Sequence, residues 1–421
     1  MHKPSKIENL AGIVQNGLCM GCGLCQAIAG KEMVSFVVTP DGRQRPMQIG
    51  PIDTATWNEI EQSCPGIKVG APIDAGTEGV IDPVWGPLRH IALGHAADRD
   101  IRFRAAGGGV LTALASYLIS SGEVDFVMQV RAAQDKPMRT ETVFSRSMGD
   151  VIAASSSRYG PATPLDAIRS ALDTGERFAF VGKPCDISGL RNYAIKDSRV
   201  HKQCVAMLAL VCGGGPEFWK SRDLVRDLGY SERDVTLMRY RGFGNPGRAR
   251  IEVQDGAAFE LTYAELWDDE SKWASQTRCR LCPDGIGEGA DIVSGDFWPN
   301  CQPSGEDAGF NSIMVRSERG ERIFKAAVAS GALVISRSLT VADMSHTQPH
   351  QVKKKQEMWA RYSGLAAVGH PYPEAAPELR LRELAQGQSL QQNLSSARGA
   401  RARAQRGRFT ELPVTPDHDD P

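Results

Sequence analysis

The chain has no run approaching the roughly 18 apolar residues of a membrane-spanning helix, and its first ten residues lack the apolar core of a secretory signal. It also lacks an excess of charge. A net charge of −1 gives no attraction to nucleic acid or to an anionic membrane. With 41% hydrophobic and 24% charged residues, its 421 residues are enough for two or three globular domains. The sequence therefore predicts a cytoplasmic protein.

Cysteine is what the chain has in quantity, with ten residues. In a reducing cytoplasm, cysteines indicate metal ligation or redox chemistry rather than disulfides. Cys19, Cys22 and Cys25 follow one another at three-residue steps, and Cys64 comes later, directly before Pro65. This spacing is typical of a ferredoxin that holds a 4Fe–4S cluster, and thiolates at such steps surround one tight loop. The sequence predicts a cluster with these four ligands.

The second cluster of a two-cluster ferredoxin is missing. Its shared fourth ligand would lie at Ala29, and the cysteines that would precede Cys64 are replaced by Thr54, Trp57 and Ile60. One cluster is therefore expected in the first 70 residues. Zinc is a weaker alternative, because zinc sites favour paired Cys-x-x-Cys knuckles.

Alternating strand and helix patterns predict an α/β fold of mixed α+β character, with a ferredoxin-like iron–sulfur module before a flavin-binding core. The clearest helix is expected at 110–120, with Leu111, Leu114 and Leu118 on one face. Strands are expected at 34–37, 44–49, 125–130, 178–181 and 205–211. The predicted units are residues 1–70 (iron–sulfur module), 71–88 (linker), 89–175 (first part of the core), 176–365 (C-terminal part with a second cluster) and 366–421 (tail, largely disordered).

A second group of cysteines is expected to complete another cluster. Cys279 and Cys282 form a Cys-x-x-Cys pair, and Cys185 and Cys212 each follow a predicted strand. Ligands converge at the carboxyl ends of parallel strands, so these four thiols are the predicted second set. Cys204 lies near the start of its strand and is expected to be a buried, inert thiol. Zinc or a redox dithiol remains possible at the Cys-x-x-Cys pair.

A flavin would convert one-electron to two-electron chemistry, and a glycine-rich segment is its candidate cradle. Gly107, Gly108 and Gly109 precede the helix at 110–120, whose free N–H groups attract phosphate. Thr112 and Arg104 could add contacts, as could the Ser-rich loop at 155–161. Close helix packing explains the three glycines nearly as well.

The catalytic residues are not identified by the sequence. Candidate proton donors are Asp291, Asp296 and Lys183, although residues of these types are more often structural than catalytic. Arginines between 398 and 408 lie among Ala and Gly, which predicts a disordered tail. The alternative is a docking arm for an acidic partner such as ferredoxin.

Taken together, these motifs resemble the beta subunits of coenzyme F-420 (deazaflavin) hydrogenases and dehydrogenases. Relatives of that family include 7-hydroxymethyl chlorophyll reductase and ferredoxin-dependent divinyl chlorophyllide 8-vinyl reductase. The matching pieces are Cys19 to Cys25, Cys64-Pro65, Gly107 to Leu114, Ser157-Arg158-Tyr159, Gly182 to Ile187, Cys212-Gly213-Gly214, Arg241 to Gly247 and Cys279 to Asp296. Members often have Ser, Lys and His where this chain has Gly107, Arg158 and Gly213.

The resemblance implies an iron–sulfur flavoprotein oxidoreductase with FAD and one or two 4Fe–4S clusters. It also implies electron exchange with ferredoxin or a deazaflavin coenzyme, and a partner subunit is a further expectation. The expected metal ligands are Cys19, Cys22, Cys25, Cys64, Cys185, Cys212, Cys279 and Cys282. The expected cofactor contacts are Gly107, Gly108, Gly109, Thr112, Ser157, Arg158, Tyr159 and Lys183. The alternative is an electron-relay subunit of a larger complex, with no substrate of its own.

Overall fold

The computed structural model describes residues 5–70, 76, 78–267, 275–298 and 307–417. Its strands are β1 (Val34–Val38), β2 (Gln44–Gln48), β3 (Lys68–Val69), β4 (Val80–Asp82), β5 (Gly86–Leu88), β6 (His90–Ala96), β7 (Phe126–Ala132), β8 (Thr140–Ser145), β9 (Phe178–Gly182), β10 (Cys204–Leu210), β11 (Val235–Arg239), β12 (Ala249–Val253), β13 (Ala258–Leu261), β14 (Ile292–Asp296), β15 (Asn311–Val315), β16 (Leu333–Ser338) and β17 (Glu374–Ala375).

Its helices are α1 (Leu10–Gln15), α2 (Leu24–Ala29), α3 (Thr54–Ser63), α4 (Arg99–Arg104), α5 (Val110–Ser120), α6 (Met148–Ala153), α7 (Ile168–Asp173), α8 (Pro184–Ala194), α9 (Arg199–Gln203), α10 (Trp219–Asp227), α11 (Tyr263–Trp267), α12 (Glu318–Ala329), α13 (Val341–Thr347), α14 (Pro349–Ala366), α15 (Leu381–Gln386) and α16 (Leu390–Gln405). Short 3₁₀ turns lie at Glu232–Asp234, Thr277–Leu281 and Pro377–Leu379.

The centre of the protein is an eight-stranded mixed sheet in the order β16-β6-β15-β14-β10-β9-β7-β8. Strands β7, β9, β10 and β14 run parallel to one another, and the outer pairings are antiparallel. The mixed α/β class predicted from the sequence is therefore confirmed. Because the four parallel strands end on the same side, the loops after β9, β10 and β14 meet at one edge, called here the carboxyl edge.

Helix α5 packs on this sheet through the apolar face that the sequence predicts. Its bounds match the expected 110–120 helix, and Leu114 and Leu118 are fully buried with sheet residues such as Ile313. The helix begins after Gly109, whose φ of +74° lies in the left-handed region that favours glycine. The N-terminal hairpin of β1 and β2 also lies where expected.

The predicted linker at 71–88 is partly wrong. Residues 71–75 and 77 lie outside the described chain, but β4 and β5 form an antiparallel hairpin. Trp85, between the two strands, is completely buried, and Arg316 donates to the carbonyl oxygens of Trp85 at 2.6 Å and Pro87 at 2.9 Å. A Pro- and Gly-rich composition was compatible with a linker, but the aromatic side chain and these hydrogen bonds fix the hairpin to the core.

The predicted disordered tail is also wrong for most of its length. Helix α16 packs across α14, where Gly364 approaches so closely that a Cβ atom would lie 2.1 Å from the Ala397 carbonyl oxygen. Beyond the helix, Glu411 accepts from Arg45 at 2.7 Å, with 4% and 1% of the two side chains exposed. Small residues let the helices meet, and the buried ion pair fixes the end of the chain to the N-terminal hairpin.

Helix α12 is tied to the start of β6 by an ion cluster around Glu321. Lys325 lies 2.8 Å from the carboxylate, and Arg89 and His90 also contact it. The hydrogen bonds from Lys325, His90 and Arg89 outweigh the opposing effect of burial and lower the pKa of Glu321 to about 2. This carboxylate therefore stabilises the fold in its ionised form. Among the described helices, none is both long and apolar enough to cross a membrane.

Candidate functional site

The four N-terminal cysteines come together around one cavity. Cys19 and Cys22 lie in the loop before α2, Cys25 lies in its first turn, and Cys64 follows the last residue of α3. The left-handed backbone of Gly21 and Gly23 shapes this loop. The remaining wall is mainly apolar and includes Leu10, Ile13, Ile28, Phe36 and Ile60. The expected ligand set is thus gathered in the structure by a short loop and one distant helix end.

Burial and backbone donors act in opposite directions on these thiols. Burial, followed by the neighbouring Cys64, raises the pKa of Cys22 well above its ordinary value, and burial raises that of Cys64 to about 11. Against this, the Gly21 N–H donates to the Cys19 sulfur at 3.3 Å, and N–H groups of Gly66 and Ile67 favour the Cys64 thiolate. Buried thiolates of this kind need a cationic partner, such as iron, to offset the cost of burial.

The second predicted set of cysteines is also brought together. Cys185 lies in the first turn of α8, Cys212 follows β10, and Cys279 and Cys282 lie in and just after the 3₁₀ turn at Thr277–Leu281. All four line a second cavity at the carboxyl edge. The Gly215 N–H donates to the Cys279 sulfur at 3.2 Å. The structure thus places around one cavity the four cysteines that the strand-end argument selected, and their role as cluster ligands stays a prediction.

One other described cysteine lies outside this set. Cys204 starts β10 at the opposite edge of the sheet, is 1% exposed, and has a pKa raised by burial to about 12. Its thiol donates to the Ala206 carbonyl oxygen at 3.5 Å, as expected for an inert buried thiol. Cys301 lies outside the described residues.

The thiols line cavities and do not meet at a point. Within the described ranges, no three His, Cys, Asp or Glu side chains are placed so that they could hold a single metal ion. Each set of four thiols is spread around a space, with backbone N–H groups directed at some of the sulfurs. The donor set and its backbone hydrogen bonds fit an iron–sulfur cluster, whose sulfur ligands surround a multi-atom core.

The two cavities are neighbours. Met20, between the first two N-terminal cysteines, lines both of them. Arg278 also lies between them: its side chain lines the second cavity, and its Nη2 donates at 3.0 Å to the carbonyl oxygen of Pro65, which follows Cys64. Burial lowers the pKa of Arg278, but the thiols led by Cys282 raise it by more. Sequence reasoning missed Arg278, because its place beside a Cys-x-x-Cys pair does not show that it is buried.

The glycine-rich segment before α5 is explained by close packing. A Cβ atom on Gly107 would lie 2.7 Å from both the Asn311 Nδ2 and the Asp296 Oδ1 atoms. The first amide of the helix, Val110, donates to the Asn311 side chain at 3.3 Å. The packing explanation that the sequence left open is therefore observed. Whether Gly107, Gly108, Gly109 and Thr112 also contact a flavin stays a prediction.

The Ser-rich loop before α7 packs against the small sheet of β11, β12 and β13. Arg158 donates to the carbonyl oxygens of Met238 at 2.6 Å and Pro137 at 2.7 Å. Tyr159 packs edge-on against Tyr240. These contacts give both side chains a structural role, and the flavin contacts expected of Ser157, Arg158 and Tyr159 stay predictions.

A polar group at the carboxyl edge lies beside the glycine-rich segment. Arg241 is 2% exposed and donates through Nη1 to Asp296 at 2.6 Å and through Nε to the Pro246 carbonyl oxygen at 3.1 Å. Its Nη2 has no hydrogen-bond partner within the part of the chain that the structure describes. Ser156 joins the group by donating to the Arg241 carbonyl oxygen. A buried donor without a partner fits a polar or anionic group bound at this edge.

The three candidate proton donors lie in different environments. Asp291 precedes β14 at the edge opposite the cavities, and Arg319 donates to it at 2.7 Å. Burial alone would raise the pKa of Asp291, but the charges of Arg191 and Arg319 have the larger effect and lower it. Asp291 is therefore held ionised and is a poor proton donor. Lys183 pairs with Asp186 at 2.8 Å and lines the second cavity, and Asp296 pairs with Arg241.

Comparison with known proteins identifies the family to which the chain is similar. Two family models match, described as the N-terminal part (residues 91–169) and the C terminus (residues 175–338) of the coenzyme F-420 hydrogenase/dehydrogenase beta subunit. Together they match more than half of the chain.

The individual relatives have low sequence identity to this chain, but they match it over long stretches. The chain is 22% identical over 319 residues to one of the subunits of F(420)H(2) dehydrogenase in Methanosarcina mazei, covering 75% of this chain and 84% of that protein. It is 27% identical to the beta subunit of F-420-dependent formate dehydrogenase 1 of Methanococcus maripaludis, covering 56% and 58%. A chain in a solved structure of the F-420-reducing NiFe hydrogenase complex from Methanosarcina barkeri has the same fold, with a TM-score of 0.55, 19% identity, and coverage of 70% and 99%.

Proposed function

We propose a function from one premise: the chain belongs to the family of coenzyme F-420 hydrogenase/dehydrogenase beta subunits, which are oxidoreductases. In this proposal, the protein is an iron–sulfur flavoprotein that holds two 4Fe–4S clusters and FAD. It transfers electrons between a carrier, either ferredoxin or a reduced deazaflavin, and a substrate. The observation that carries the proposal is the pair of neighbouring cavities, each lined by four cysteines.

In this proposal each cavity holds its cluster through all four thiolates. Cys19, Cys22, Cys25 and Cys64 would be the ligands in the first cavity, and Cys185, Cys212, Cys279 and Cys282 in the second. When bound, such clusters supply reversible one-electron transfer. The chain's own contribution is to hold the thiolates, donate backbone N–H groups to sulfur, and exclude water with apolar walls. Because Met20 lines both cavities, the two sites are close neighbours.

The proposed place for FAD is the carboxyl edge beside the second cavity. There, Gly107 and the first turn of α5 lie next to the pair formed by Arg241 and Asp296. The unpartnered donor of Arg241 would bind and orient a polar group of the cofactor. When bound, a flavin exchanges electrons singly with clusters and in pairs with organic molecules. Lys183, held by Asp186 at the same edge, stays a candidate for moving a proton.

Cofactor analysis of one anaerobic sample tests the proposal. We expect about eight iron atoms and eight acid-labile sulfides per chain, as two cubes require, together with one FAD. The preparation should absorb broadly in the visible range and oxidise a reduced deazaflavin. A colourless protein that contains zinc in place of iron would overturn the proposal.

The second candidate function is an electron-relay subunit without its own substrate. Relatives are named as subunits of larger enzymes, and the solved structure is that of a hydrogenase complex. The two functions differ in what the isolated chain can do. Oxidation of a reduced deazaflavin, or ferredoxin-driven reduction of a chlorophyllide, by the purified chain would exclude the relay. Full cofactor content without either reaction would favour it.

A further inference from the structure

Arg278 is a buried cation with few partners. Only 1% of it is exposed, and Nη2 donates to the Pro65 carbonyl oxygen at 3.0 Å. Its Nε and Nη1 have no hydrogen-bond partner within the described residues. A buried guanidinium that lacks its hydrogen bonds and a counter-charge strongly destabilises a fold. Something of opposite charge is therefore expected beside it.

Two other fully buried arginines have more partners. Arg45 forms an ion pair with Glu411, and Arg316 donates to carbonyl oxygens including those of Trp85 and Ile286. Arg278 differs from Arg45 because no carboxylate in the described part of the chain is paired with it. It differs from Arg316 because only one carbonyl oxygen among the described residues accepts from it, and because cysteines line the cavity beside it. The missing counter-charge therefore belongs on the cysteine side of the site.

The position of Arg278 relates it to both sets of ligands. It immediately precedes Cys279 and lines the second cavity, and its hydrogen bond fixes the peptide that follows Cys64 in the first set. The first cavity has its own basic group near Cys19, but that group, Arg45, is neutralised by Glu411. Arg278 is thus the unpaired cation that these contacts place between the two sites.

Resting on the proposed function, we propose that Arg278 is a positioning residue that offsets the negative charge of both cysteine-ligated clusters. It thereby keeps both reduction potentials higher than they would be without it. Four thiolates outweigh the charge of the iron–sulfur core, and reduction makes the cluster more negative still. A fixed cation between two such groups stabilises each reduced form more than each oxidised form. Arginine suits this role because it stays protonated even when buried.

The test is a redox titration of the cluster-loaded protein, followed by electron paramagnetic resonance. The variants are Arg278→Met, Arg278→Lys and, as a matched control, Arg316→Lys. We expect both midpoint potentials to move to more negative values in Arg278→Met. A smaller shift in the same direction is expected in Arg278→Lys, whose charge is on a shorter, more strongly hydrated group. Arg316→Lys should leave both potentials at their wild-type values.

The possible results separate the role of Arg278 from the proposal that the protein holds two clusters. Unchanged potentials in both Arg278 variants, or a shift of only one of the two, would overturn the role of Arg278. If Arg278→Met does not retain iron, the comparison of Arg278→Lys with Arg316→Lys decides in the same way. A wild-type chain with only about four iron atoms, the content of one cube, would instead overturn the two-cluster proposal, and the Arg278 role with it.

Discussion

Replacing single cysteines tests the second ligand set directly. In Cys212→Ser, one of the four thiols of the second cavity is lost while the first cavity keeps all of its own. A serine hydroxyl is a much weaker ligand than a thiolate, and a cube needs its four ligands. We therefore expect iron and acid-labile sulfide to fall by about half relative to the wild type. The folded core should survive, because Cys212 lies in a loop after β10 and not in the sheet.

Cys204→Ser is the matched control, since Cys204 begins the strand that Cys212 follows. Cys204 is buried at the opposite edge, and its thiol donates to the backbone carbonyl oxygen of Ala206 at 3.5 Å. The expected cost is about 1 kcal/mol of unfolding free energy, with iron content unchanged. Both variants are purified anaerobically, and iron, sulfide and the resonance of each reduced cluster are measured.

The reasoning would be refuted by the reverse pattern, in which Cys204→Ser loses half of the iron and Cys212→Ser keeps all of it. Equal iron in the wild type and in Cys212→Ser would equally show that Cys212 is not a ligand. Loss of all iron in Cys212→Ser alone would show that the two neighbouring sites assemble as one unit.

Three further predictions concern stability. Gly107→Ala should cost about 3 kcal/mol, because the residue has positive φ and its Cβ would crowd polar side chains. Glu411→Ala should cost about 3–5 kcal/mol, because it leaves Arg45 buried without its counter-charge. Glu321→Gln should cost about 1 kcal/mol at neutral pH. This last deficit should be complete above pH 4.5 and be lost as the pH falls through about 2, below which the wild-type carboxylate is protonated too. Denaturant unfolding measures all three.

The predictions for Gly107→Ala and Glu411→Ala each have a control variant within the chain, and the prediction for Glu321→Gln is tested by its pH dependence. Gly122→Ala also has positive φ but nothing within 4 Å, so it should cost only about 1 kcal/mol, and an equal cost would contradict the packing argument. Glu383→Ala, on an exposed face of α15, should change stability little. A wild-type advantage over Glu321→Gln that stays undiminished as the pH falls well below about 2 would show that charge is not its source.

Much of the core could be predicted because its signals are local. Helix α5 was found with its bounds, since one apolar stripe at helical spacing fixes both type and burial. Three of the four parallel strands, β7, β9 and β10, were found as buried apolar runs. From the ends of β9 and β10 it followed that Cys185 and Cys212 lie at one edge, where both line the second cavity. The partners of the flavin cradle, and the domain boundaries, stay predictions.

The failures arise where contacts are distant in sequence. The tail has a composition typical of disorder, and its order depends on Gly364 admitting α16 and on Glu411 reaching Arg45. The hairpin around Trp85 was mistaken for a linker, because its anchor, Arg316, lies more than two hundred residues away. Amino-acid composition gives only the numbers of each residue type. It does not show which distant residue will pair with a buried charge or pack against a buried aromatic ring.

The sequence by itself determined that three thiols lie at three-residue steps in one short loop. The prediction that they hold one cluster follows from that spacing. Only the tertiary structure decided how the two sets relate to each other. Met20 and Arg278 lie between the cavities because separate segments pack together there, and neither has a local signal. The number of thiols is thus set by the chain, whereas the charge balance between the sites is set by the fold.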